Sequence, residues 1–170
     1  MVLEITGRID PVVRETWRLF VSLLGGDEGS LWLRDGNGLV MVLNSGHDSA
    51  SMEFTATAQS ENAQVIRCLK TGAPVEDVLP FKRLPRDNRV DGMFDQETVC
   101  QISVPFHWDQ ERVGVLSIVQ LDRDHRNGQW GFPPETARRL QIFGRTLERL
   151  LCTQPVSARS TKPRRSEARA

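Results

Sequence analysis

The chain has 170 residues, 39% of them hydrophobic and 26% charged, and 22 Lys and Arg balance 22 Asp and Glu. This length suits one domain that buries its core without disulfides or a structural metal. A formal net charge of zero excludes a uniformly basic nucleic-acid binder.

That zero hides an asymmetry. Residues 157–170, SARSTKPRRSEARA, hold Arg159, Lys162, Arg164, Arg165 and Arg169 against the single acid Glu167, with no large apolar side chain to bury. We read 153–170 as a disordered basic tail. The body then carries about −4, which argues against nucleic acid as a partner. No run of eighteen apolar residues and no signal-peptide pattern occurs, so no membrane association and a cytoplasmic location are expected. Three cysteines, Cys68, Cys100 and Cys152, lie far apart with no CxxC pair, which points to reduced thiols.

Residues 1–9 read as a short extended opening, an N-terminal extension to the domain. Asp10 and Pro11 supply an N-cap and a first-turn proline, and Val13, Trp17, Phe20 and Leu24 recur at helical spacing up to Gly25-Gly26. The GGDE string at 25–28 is read as that helix's end. The apolar runs 31–33 and 39–43 flank Asp35-Gly36-Asn37-Gly38, which predicts a β-hairpin. A polar stretch follows, in which 52–55 is a candidate short strand. Ser60 is the candidate cap of a helix with Val65, Ile66 and Leu69 on its apolar side and Gly72 at its end.

Residues 76–98 read as a long irregular excursion containing Lys82, Arg83, Arg86, Asp87, Arg89, Asp91 and Phe94 among Pro80, Pro85 and Gly92. Two strands come next, 99–106 and 112–121, joined by a loop at 107–111. Cys100, Ile102, Val104 and Phe106 alternate on one face of the first, and Val113, Val115, Ser117 and Val119 on one face of the second. Pro133-Pro134 opens a final amphipathic helix with Leu140, Phe143, Leu147 and Leu150, ending near Cys152.

Three passages, taken in order, carry a family likeness. They are Ser30 to Asp35 with its turn, Leu69-Lys70-Thr71-Gly72-Ala73-Pro74-Val75, and Ile102-Ser103-Val104-Pro105-Phe106 followed by Val113-Gly114-Val115-Leu116. Over 10–152 the chain resembles a GAF domain. The resemblance implies an α+β sandwich: a central antiparallel sheet with the N- and C-terminal helices on one face and a helix and loop layer over a ligand cavity on the other. It also implies regulation of an output protein and homodimerisation through the terminal helices.

The expected function is therefore a non-catalytic sensory or regulatory module that binds a small molecule. Two alternatives stay open: an interaction module without ligand, and a thiol reductase resembling the free methionine sulfoxide reductases, with Cys100 as the thiol of interest. The ligand identity and any cofactor are left unspecified, because the Gln120, Arg123, Phe132 and Glu135 series departs from the cyclic-nucleotide signature and no cysteine neighbours a histidine. Candidate ligand-binding residues are Arg86, Arg89, Asp91, Phe94, Cys100 and Ile102, with guanidinium groups suited to an anion. Candidate dimer residues are Trp17, Phe20, Phe143 and Leu147. His47, His107 and His125 sit in separate loops without metal-ligand spacing, so no metal site is expected.

Overall fold

A computed structural model of the chain describes residues 1–46, 52–54, 57–60, 63–78, 98–121 and 131–155. The backbone follows the turn chemistry and hydrophobic periods of the sequence. Asp10 accepts a hydrogen bond from the Val13 amide at 2.8 Å and Pro11 occupies the first turn, so α2 runs Pro11–Leu23. The hairpin strands are β1, Glu28–Asp35, and β2, Gly38–Asn44, turning at Gly36 with φ of 57°. After the two-residue β3, Thr57–Ala58, comes α3, Gln64–Thr71, which ends on Gly72 in the left-handed conformation. Strands β4, Val75–Val78, β5, Thr98–Trp108, and β6, Glu111–Leu121, precede α4, Thr136–Thr153.

The six strands form one antiparallel sheet in the order β3-β2-β1-β6-β5-β4. This is the α+β arrangement expected from the sequence. One face packs Leu31, Leu33, Ile102, Val104, Leu116 and Ile118 beneath α2 and α4, whose Trp17, Phe143 and Leu147 join the same apolar cluster. The other face packs Trp32, Leu39, Met41 and Val115 beneath Val65, Ile66, Cys68 and Leu69 of α3. Alternate strand residues thus feed two cores.

Four local readings change. Residues 2–6 form a one-turn helix, α1, rather than extended chain, and its Ile5 is fully buried in the terminal-helix core; a segment this short shows no helical period in sequence. Ser60 is not the cap of α3, which starts from Ala63 without a side-chain cap. Met52 is helical and Glu53-Phe54 form a turn, with Phe54 at a φ of 65°, and Glu53 makes a bidentate ion pair with Arg14. On β6, Phe106 pairs with Gly114 and His107 with Arg112, leaving Val113 as an extra residue. That bulge turns Val113 onto the terminal-helix face, away from Val115 and Ser117.

Candidate functional site

The two faces of the sheet differ in chemistry. Across the α3 face the register aligns Asn44 with Ser30, Ser30 with Ser117, and Ser117 with Ser103, a straight polar row over four strands. All four are buried, at 4%, 7%, 1% and 0% exposure. Gln101 and Asp77, paired on β5 and β4, extend the polar surface by one further rung. The terminal-helix face of the same strands carries only apolar side chains in this region.

The row is internally ordered. Gln101 Nε2 donates to Ser117 Oγ at 3.0 Å, and Ser103 Oγ donates to the same oxygen at 3.0 Å. Trp32 Nε1 donates to Ser30 Oγ at 2.7 Å, and Asn44 Oδ1 accepts from the Gly46 amide at 3.3 Å. From α3, Gln64 Nε2 reaches down to the carbonyls of Val75 at 2.8 Å and Gln101 at 3.2 Å. A sheet face used purely for packing gains nothing from buried hydroxyls and amides, each of which costs about 1–3 kcal/mol when left unsatisfied. Hydroxyls that donate or accept, beside amides that do both, form a surface with mixed hydrogen-bonding capacity.

The residues singled out from sequence are distributed differently. Cys100 and Ile102 lie in the core beneath α2 and α4, so they do not line the α3 face. The alternation was legible, but strand parity puts Gln101 and Ser103, not their neighbours, on the side away from the terminal helices. Arg86, Arg89, Asp91 and Phe94 lie outside the described residues, in the connection between Val78 and Thr98. Trp17, Phe143 and Leu147 are buried within the chain, with Trp17 and Phe143 ring centroids 5.6 Å apart and Phe20 stacked on Phe143 at 3.8 Å. The apolar residues that α2 and α4 leave exposed are instead Val12, Leu19, Leu23 and Ile142. His107 is exposed at the end of β5, His47 and His125 lie outside the described residues, and no metal-binding cluster occurs among the described ones.

The row was missed in sequence because serine alternating with valine reads as an ordinary strand. The one available signal was polar residues at equivalent positions of three strands, Ser30, Ser103 and Ser117, which becomes visible only once the register is known.

Solved structures share this architecture. The GAF domain of a two-component sensor histidine kinase from Bacillus halodurans aligns with a TM-score of 0.61 at 17% identity, over 82% of this chain and 91% of that one. The GAF domain of a phosphoenolpyruvate-protein phosphotransferase from Coxiella burnetii aligns with a TM-score of 0.63 at 15% identity, over 89% and 92%. The chain has the GAF fold. A third structure with this fold, a type II free methionine-R-sulfoxide reductase from Thermoplasma acidophilum, aligns with a TM-score of 0.55 at 12% identity over 85% and 96%. No family model and no curated protein sequence matches the chain.

The reductase makes the thiols of this GAF fold a direct question of geometry. Cys68 packs on the α3 face and Cys100 on the opposite face, with the sheet backbone between them. Cys152 is exposed near the end of α4, where Arg8 donates to its carbonyl at 3.3 Å and lies 6.0 Å over the Trp108 ring. Trp108 is eight residues from Cys100 along β5, about 26 Å at roughly 3.3 Å per residue. Burial pushes the Cys68 thiol up to about 12, against a smaller opposing effect of the Arg112 charge. No two of the three thiols are juxtaposed, and Cys68 is far from the thiolate that nucleophilic chemistry requires. No described helix is long and apolar enough to cross a membrane.

Proposed function

We propose that this GAF-fold chain is a cytoplasmic, non-catalytic sensory or regulatory module that binds a small molecule on the α3 face of its sheet. The observation that carries the reading is the asymmetry of the sheet. Its terminal-helix face is largely apolar, with Gln120 at one end, whereas its α3 face holds the in-register row Asn44, Ser30, Ser117 and Ser103 with Gln101 and Gln64 beside it. The separation of the three thiols supports a binding role over thiol chemistry.

The test is a titration of the 15N-labelled chain with a cell-derived metabolite extract, read by amide chemical shifts. Shifts grouped around Ser30, Gln101, Ser103 and Ser117 support the site. A spectrum that the extract leaves unchanged opposes it.

A second reading has its own observation. Val12, Leu19 and Leu23 follow one another on one side of α2 at exposures of 58%, 58% and 79%, and Ile142 of the adjacent α4 is 55% exposed. This stripe suits self-association through the terminal helices, the same regulatory output expected of a homodimer or of a separate partner protein. The basic residues Arg86 and Arg89 enter this proposal as candidate contacts for an acidic part of the ligand.

A further inference from the structure

Gln64 has an unusual imbalance. It is 1% exposed, both donor contacts of its Nε2 are to main-chain carbonyls, and its Oε1 is buried with no hydrogen-bond partner. Rotating the amide by 180° does not relieve this, because it would set the oxygen against the carbonyls of Val75 and Gln101. The orientation is therefore fixed by chemistry, and the acceptor left over is Oε1.

Its location follows from the register. Val75 pairs with Ser103 and Asp77 with Gln101, and the Val75 and Gln101 carbonyls both border the ladder between these two rungs. The Gln64 amide lies over that interval, at the end of the polar row. The side chains of these two rungs, Ser103 and Asp77 among them, leave the sheet on the α3 face, the side from which Gln64 reaches down. A carboxylate or phosphate oxygen brought to Oε1 would meet a second acceptor, whereas an N–H group supplies the donor that Oε1 lacks.

We infer that Gln64 Oε1 accepts a hydrogen bond from an amino or primary-amide group of the small molecule bound on the α3 face. The inference rests on the proposed site and specifies one end of its ligand. It also assigns Gln64 a division of labour: Nε2 anchors α3 to the β4–β5 ladder, and Oε1 selects the ligand.

The test uses matched probes that differ only in the donor: adenine against purine, and benzamide against acetophenone. Each is titrated into the 15N-labelled full chain, following the side-chain amide signals of Gln64, which are identified by their disappearance in Gln64→Leu. The expected result is that the NH2-bearing member of each pair binds roughly two- to tenfold more tightly, the worth of one well-placed hydrogen bond. Gln64→Leu and Gln64→Met should both erase that preference. Equal binding of both members around Ser103 and Ser117 overturns the role of Gln64 while leaving the α3-face site standing. Preference that persists in the folded variants also overturns it. If no probe moves any signal on the α3 face, both this inference and the site beneath it fail. Should both variants fail to fold, the preference within each pair in the unsubstituted chain still decides the matter.

Discussion

Ser103 and Ser117 face one another across β5 and β6, both essentially inaccessible to solvent, with Ser103 donating to Ser117 at 3.0 Å and Gln101 donating to the same Ser117 oxygen. Three polar side chains thus share hydrogen bonds inside the sheet. A row kept only for stability and a row kept for ligand binding respond differently to substitution.

Removing one partner strands the others. Ser117→Ala should cost about 1–3 kcal/mol because the Gln101 amide and Ser103 hydroxyl lose their common acceptor. The triple variant Gln101→Leu, Ser103→Val and Ser117→Val removes the whole network and should be close to neutral or more stable, since no buried group is left unpaired. Urea denaturation of both variants checks the difference. A triple variant several kcal/mol less stable than the single one would assign the row to folding alone.

The seating of α2 on the sheet depends on a missing side chain. Trp17 Nε1 donates to the Gly29 carbonyl at 3.0 Å, and a Cβ on Gly29 would lie 2.4 Å from Val21 Cγ2 and 2.6 Å from Trp17 Cζ2. Gly29→Ala should therefore destabilise by about 1–3 kcal/mol through overpacking. That corresponds to a midpoint lower by roughly 2–4 °C per kcal/mol in calorimetry.

How much of this was legible beforehand depends on the range of the signal. The Asp35-Gly36-Asn37-Gly38 turn, the Asp10-Pro11 helix start and the Gly72 stop act over a few residues, and each appears where the sequence put it. Cys100, Ile102, Val104 and Phe106 do share one face, as their spacing showed. Which face they share is a tertiary fact, fixed by where α2 and α4 pack, so the spacing alone does not show that Gln101 and Ser103 are the residues turned toward α3. The bulge at Val113 breaks a period-two pattern through pairing with β5 rather than through its own residue type. Trp17 and Phe143 have the composition of an interface, yet the helices turn them inward and leave Leu19 and Leu23 outside.

The thiols offer a separate check. At pH 8 a thiol reagent should modify Cys152 quickly, while Cys68 and Cys100 should react only on unfolding. The Cys68 thiol ionises near 9 when unfolded and near 12 when folded, so its contribution to stability is complete below pH 9. Between pH 9 and 12 the unfolded state alone loses the proton, and stability should fall by up to about 1.4 kcal/mol per pH unit. Denaturation midpoints in Cys68→Ala should lack that part of the slope.

Self-association should map to the outer stripe of α2. Sedimentation is expected to show a dimer for the unsubstituted chain and a monomer for Leu19→Glu and Leu23→Glu, with little change in folding because both side chains are already solvent-exposed. Trp17 substitutions should instead lower stability. Dimers that survive both α2 variants would place association elsewhere.

The central claim is that the α3 face binds a small molecule through the polar row. Native mass spectrometry of the gently purified chain, beside the Gln101→Leu, Ser103→Val and Ser117→Val variant, addresses it most directly. The account predicts a small-molecule mass retained near one per chain and lost in the folded triple variant. A chain that carries no added mass, or a variant that retains the same ligand, would contradict it.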